Sequence, residues 1–348
     1  MANGRDLSLD FMRVMGVLII MLAHSDPPKW LFQLRNFGTP LLIVASALTY
    51  STIYKERKIN IIPFLIRRVT KITIPSWVFL TIFFLIFLVS YSSLDEEYPF
   101  TNYQIVTSYL FWSGIGYVWI LKIYLTIAFI IPIFDRIDKS TISNRMYFSS
   151  IIILYIFYEF VYFSCAEFLY SVPFLKGSLF TIFPYVLVFA YGYRLNNFDN
   201  WLVFKITLYA AFAFCSIAIL AYIFEGKFFQ TQYFKYPPRV YYLSYALMCT
   251  NIMFLLSRSR IMVIFPKNIL IWFSSNSLWI YLWHILGIYI LRIFNYGGGR
   301  DFFTSLYVAI FILSFGTILT FIQGKVVYFV SGSRDTALCR LMSYVFTN

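Results

Sequence analysis

Charge is scarce in this chain. Only 12% of the residues are Asp, Glu, Lys or Arg, about half of the ~25% usual in a soluble domain. That poverty excludes an ordinary water-exposed globular fold. Histidine is scarcer: there are two in 348 residues, His24 and His284, so few groups can change charge near neutral pH. The four cysteines (Cys165, Cys215, Cys249, Cys339) are widely spaced and form neither a metal-ligand pattern nor a disulfide framework. No metal is therefore expected. No Gly-x-Ser-x-Gly elbow is present, and no Asp or Glu is placed to complete a serine triad with either histidine. Nor is there an evident cleavable signal peptide, internal repeat, low-complexity tract or appended soluble domain.

What the chain has in plenty is apolar surface. Hydrophobic residues make up 60%, aromatics 22%, and the mean hydropathy is +0.74. Ten apolar segments are long enough to span or nearly span a bilayer: 9–25, 37–54, 72–91, 115–134, 146–164, 179–194, 201–223, 240–256, 272–294 and 302–323. The pattern predicts an all-α integral membrane protein, a bundle of about ten helices. Residues 1–330 would form a single membrane-embedded domain, and 331–348 a short cytoplasmic tail without a catalytic motif. The net charge of +13 would raise nucleic acid as a partner of a soluble protein. Here the basic residues fall between apolar segments, so the bilayer is the expected partner and nucleic acid is not. With an inner N-terminus and alternating spans, 19 of the 28 Lys and Arg collect on the inner side. That bias predicts both termini in the cytoplasm.

Arg13 and His24 lie eleven positions apart in the first apolar segment. Eleven steps of about 100° make about three turns plus 20°, so the two share a helix face about 16 Å apart along the axis. Intramembrane charges usually mark function, and histidine is the usual general base. A structural account also suits them: Arg13 snorkels to inner headgroups and His24 sits at the interface. Asp10, three residues before Arg13, is spaced for a local ion pair. Arg67, Arg68 and Lys71 put three cations within five residues, able to grip phosphates or simply to mark the inner side. His284 lies mid-segment, where it either acts chemically or bonds a neighbouring helix. Glu159 falls at an outer depth comparable to His24, from which it could orient the imidazole. The Gly297-Gly298-Gly299 run reads as a tight turn.

The stretch from Arg5 through Asp10 to Arg13, followed after ten residues by His24, resembles the opening of the membrane acyltransferase-3 family. Phe37 to Ser46 resembles the family's second helix. Phe64 to Pro75, with Arg67, Arg68 and Lys71, resembles the basic segment before its third. Ser277-Leu-Trp-Ile-Tyr281-Leu-Trp-His284 is similar to its late Ser-Leu-x-x-Tyr-Leu-x-His motif. Trp119–Pro132 and Pro184–Gly192 are weaker echoes. Family order is kept along nearly the whole chain.

The resemblance implies a multi-spanning enzyme that passes an acyl group, often acetyl, from acyl-coenzyme A to a hydroxyl of a surface polysaccharide, O-antigen among them, or of a lipid-linked sugar. It implies His24 and Arg13 as the catalytic pair and Arg68 and Lys71 as the basic pair on the donor side. Acetyl-coenzyme A would be a co-substrate, with no permanently bound cofactor, and the location a bacterial cytoplasmic membrane. Two departures stand out. Lys71 replaces an arginine common in the family, keeping charge but losing the bidentate fork. Ala47 follows Ser46 where glycine is common. A transporter or flippase of lipid-linked sugars is the competing class, since it too would have about ten helices and intramembrane charges.

Overall fold

A computed structural model describes residues 5–172, 176–294, 301–331, 342 and 344–346. The glycine run 297–299, Arg300, Cys339 and most of the tail from Gly332 lie outside the described residues.

The helices, in chain order, are α1 (Leu7–His24), α2 (Lys29–Leu34), α3 (Gly38–Tyr54), α4 (Ile61–Ser93), α5 (Asn102–Tyr109), α6 (Trp119–Asp138), α7 (Asn144–Ser164) and α8 (Ala166–Ser171). A π turn (Lys176–Phe180) leads into α9 (Thr181–Tyr193). Then follow α10 (Asn200–Glu225), α11 (Val240–Ser257), α12 (Lys267–Ser275), α13 (Ser277–Ile293) and α14 (Phe302–Ser331). Nine of the apolar segments read from the sequence each fall on one α-helix, and 272–294 is divided between α12 and α13.

Among the described residues, seven helices are long and apolar enough to cross a membrane, and an eighth is added if α12 and α13, bent by 72° at Asn276, count as one, against the ten read from the sequence. The two that fall short have physical reasons. The α9 helix has 13 residues, below the ~20 needed to span. The α6 helix carries Lys122 and then Asp135, Arg136 and Asp138 in its last turn. A second correction concerns α4. It begins at Ile61, so Arg67, Arg68 and Lys71 lie inside its second and third turns rather than ahead of the helix.

The chain divides into two compact units. The first comprises Met1–Ala23, Lys29–Ile59 and Ile130–Ile271. Its centre is α3, buried from Gly38 through Leu48. Small residues allow this, because helices in lipid pack by close backbone approach. A Cβ on Gly192 of α9 would lie 3.0 Å from Val44 Cα and 3.0 Å from Ala47 Cβ. The methyl of Ala47 thus occupies the room that Gly192 leaves. The α10 helix faces outward instead, with Leu208, Tyr209, Phe212 and Phe224 exposed, as a lipid-facing surface requires.

Polar connections gather at the two ends of this unit. At one end Lys139 Nζ donates to Arg57 O at 2.6 Å. Beside it Arg194, 2% exposed, donates to Asp138 Oδ1, Ile137 O and Ile142 O at 2.8–2.9 Å. Arg258 bonds Asn196 and Asn200 nearby. At the other end Glu159 takes Arg239 Nε at 2.7 Å, and Thr231 is tied to Gln33 and Asn36. Replacing Arg194 with Met leaves the Asp138 carboxylate without its guanidinium partner and removes a donor from the carbonyls of Ile137, Asp138 and Ile142. The expected loss is about 3–5 kcal/mol, read as a lower Tm in detergent. Lys at 194 should recover only part of it, because an ammonium cannot reproduce the guanidinium fork.

The second unit comprises His24–Pro28, Asn60–Phe129 and Trp272–Asn348. Its core is α13, buried without interruption from Trp279 to Ile288. A helix apolar all round belongs at the centre of a bundle. Phe79, Phe83 and Phe87 of α4 pack with Phe100, Trp283 and Tyr289 at centroid distances of 4.8–5.8 Å. Close approach of α14 is possible only at glycine. A Cβ on Gly316 would meet Ile280 O at 2.7 Å and His284 N at 3.2 Å.

Candidate active site

His24 ends α1, and Pro27 and Pro28 forbid the helix to continue. In the second unit its Nδ1 lies 2.8 Å from Nε2 of His284. The rings are nearly parallel (10°) with centroids 5.1 Å apart. With the nitrogens at 2.8 Å, that separation is an edge-to-edge hydrogen bond and not face stacking.

The proton on this bond can be placed by elimination. His284 is fully buried, and its Nδ1 bonds the backbone carbonyl of Tyr281. A carbonyl only accepts, so His284 Nδ1 carries the hydrogen. In the neutral ring Nε2 is then an acceptor. His24 Nδ1–H must be the donor, which puts the His24 lone pair on Nε2, the position a general base needs.

Two tyrosines frame the pair. Tyr117 meets the His24 ring edge-on at 4.7 Å, and Tyr281 lies 6.5 Å away. Tyr281 OH donates to Tyr117 O at 2.6 Å, fixing the segment before α6 to α13. Arg292 Nη2 donates to Tyr117 OH at 2.7 Å. Burial pushes the Tyr117 phenol up, with the Arg292 charge opposing. The phenol therefore stays protonated at neutral pH and keeps a hydrogen to donate. Sequence reasoning missed Tyr117, because nothing in its local pattern distinguishes it among 29 tyrosines.

The other sequence candidates are placed as follows. Arg13 lies in the first unit, where its Nη2 donates to Thr49 Oγ1 at 3.2 Å and Thr49 in turn donates to Ala45 O. The carboxylate of Asp10 is taken bidentately by Arg5, at 2.7 and 2.8 Å. Arg5 approaches with the fork that suits a carboxylate. Glu159 accepts from Arg239 Nε, Val240 N and Tyr155 OH. The partner facing His24 Nδ1 is His284, in the position the sequence reading offered to Glu159.

In the second unit the cations of Arg67, Arg68 and Lys71 stand within electrostatic reach of one another. Lys71 Nζ lies 5.1 Å from the ring of Tyr344, whose hydroxyl pairs with Thr70 Oγ1 at 2.6 Å. The described end of the tail is therefore docked, with Val345 O accepting from Trp279 Nε1 at 3.2 Å.

No curated protein and no solved structure matches the chain. The acyltransferase domain family matches residues 6–322. That stretch takes in α1 with Arg13 and His24, the cations of α4, and α13 with His284. A multi-pass bundle that places an oriented histidine pair within such a match leaves one assignment: the chain belongs to the membrane acyltransferase-3 family.

Proposed function

We propose that the chain transfers an acyl group, acetyl in the first instance, from acyl-coenzyme A to a hydroxyl of a surface polysaccharide or lipid-linked sugar in a bacterial cytoplasmic membrane. The observation that carries the reading is the hydrogen bond from His24 Nδ1 to His284 Nε2, which leaves His24 Nε2 able to take a proton.

The donor enters from the cytoplasm, where thioesters are made. Arg67, Arg68 and Lys71 take its phosphates. Arg13, three turns before His24 on the same helix, orients the donor. The ~16 Å of helix between them is of the order of an extended pantetheine arm. His24 Nε2 takes the proton of the acceptor hydroxyl as its oxygen bonds to the thioester carbonyl carbon. The developing oxyanion is steadied by hydrogen-bond donors, for which the Tyr117 hydroxyl is available. The carbon–sulfur bond then breaks, coenzyme A leaves as thiolate and recovers a proton from the His24 imidazolium, and an O-ester remains.

The test uses purified protein in uncharged detergent with labelled acetyl-coenzyme A. With acceptor glycan supplied, label should reach the glycan as alkali-labile ester. Without acceptor, slow release of free coenzyme A should persist. A flippase or scaffold would give neither, and that result would overturn the reading.

A further inference from the structure

Away from the histidine pair, the first unit buries two cations that no carboxylate answers. Arg35 follows α2 and Lys235 follows the 3₁₀ turn Thr231–Phe234, and each is only 7% exposed. Among the described residues no ion pair reaches either, and Arg35 Nε has no hydrogen-bond partner. The two charges lie within electrostatic reach of each other and of the phenols of Tyr236 and Tyr242. Arg35 Cζ stands 3.5 Å from the Phe32 ring centroid, and Lys235 Nζ stands 5.4 and 5.9 Å from those of Tyr236 and Tyr242. A ring face attracts a cation much more weakly than burial penalises it. Burial, with the Arg35 charge beside it, accordingly brings the Lys235 ammonium down to about 7. An anion would relieve both groups.

The frame around them is fixed. Asn36 Nδ2 donates to Thr231 Oγ1 at 2.9 Å, and the Thr231 hydroxyl and amide both donate to Gln33 Oε1, at 3.1 and 2.8 Å. Held this way, Asn36 Oδ1 is buried with no donor facing it, and Gln232 Oε1 is in the same position. Two buried acceptors thus await donors in the two segments that carry the buried cations, Asn36 next to Arg35 and Gln232 three residues before Lys235. Hydroxyl groups and an oxyanion on one small molecule would satisfy all four. The place is also informative. Arg35 precedes the first residue of α3, while Arg57 follows its last turn, so the cluster sits at the end of this unit opposite the Arg57, Lys139 and Arg194 connections.

We propose that Arg35 and Lys235 bind the oxyanion of an acidic sugar, with Asn36 and Gln232 accepting from its hydroxyls, and that this sugar belongs to the acceptor glycan. Only the word acceptor rests on the acyltransferase reading. The binding does not.

The test titrates the purified full chain, in uncharged detergent and without acyl-coenzyme A, with glucuronate, glucose 6-phosphate and glucose, and separately with phosphatidylglycerol vesicles. At least one acidic sugar should bind about tenfold or more tighter than glucose, and Arg35→Gln and Lys235→Met should each abolish that preference. Lys235→Met should keep or raise the Tm, because it removes an unpaired buried charge; a purely structural lysine would cost stability instead. The groups facing Lys235 are Arg35 from the α2–α3 turn, Tyr236 beside it and Tyr242 from α11. Guanidinium and phenol groups titrate well above neutrality. Affinity for the acidic sugar should therefore fall as pH rises through about 7 in the wild type and stay flat in Lys235→Met. Equal affinity for acidic and neutral sugars, a preference that survives Lys235→Met, or binding of phosphatidylglycerol alone would each overturn the proposal. Because no donor is present, such a failure is distinct from a failure of acyl transfer, which the label experiment reads.

Discussion

His24→Ala is expected to lower acyl transfer by about 10²–10⁴-fold, the usual contribution of a positioned general base. The loss should appear in kcat, with little change in KM for the donor, because the cations proposed to hold the donor are on α4 and are untouched. Stability should change little. His24 is half-exposed and ends its helix, so truncation leaves no fully enclosed cavity. The comparison uses labelled acetyl-coenzyme A and wild-type and variant protein at equal amounts in membranes. Equal label in both would remove His24 as the base.

His284→Ala should cost about 10²-fold, between the ~10-fold seen for many outer hydrogen-bond partners and the ~10⁴-fold of a triad histidine held in the wrong tautomer. His284 is a positioning residue. Its Nε2 accepts the His24 Nδ1 hydrogen, and without it the His24 lone pair is no longer held on Nε2. His284→Gln separates this role from mere packing. A glutamine oxygen can accept the same hydrogen, so activity should return in part through kcat while KM stays put. If His284 only filled space, Ala and Gln would follow the Tm of each variant and the Gln side chain would restore nothing. The packing there is tight, with α14 approaching at Gly316, so Tm must be measured alongside.

Much of the architecture was readable because lipid makes it so. A bilayer leaves helices as the economical way to satisfy backbone polar groups, and each of the ten apolar runs falls on helix, one of them split between α12 and α13. The span count was less readable. The thirteen residues of α9 and the charged last turn of α6 leave these two helices shorter or less apolar than the others. The basic motif of α4 was placed one element too early, since apolarity begins near Ile72 whereas helicity begins at Ile61. Charge marks where lipid starts, not where backbone hydrogen bonding starts.

The candidate site divides in the same way. The spacing of Arg13 and His24 follows from helix geometry alone, as α1 runs unbroken through both. Ion pairs were a different matter. Arg13 stands at helical spacing from Asp10, but the guanidinium that forks onto both of its oxygens is that of Arg5, which lies ahead of α1 and outside that spacing. Glu159 accepts from Arg239, eighty residues on, a partner that no local spacing marks. Depth along a helix axis gives no azimuth, and azimuth decides which side chains meet.

The amino-acid order by itself determined a multi-pass helical membrane protein, its two histidines, and a family pattern that holds from α1 to α13. Composition and periodicity suffice for that, because transfer into lipid depends on local apolarity. Only the tertiary structure decided that His24 and His284, 260 positions apart, share a hydrogen bond, that Tyr117 joins them, and that Arg35 and Lys235 are buried together. Those contacts depend on how helices pack across long loops, where a glycine such as Gly316 or Gly192 sets the approach and no local pattern records the neighbour.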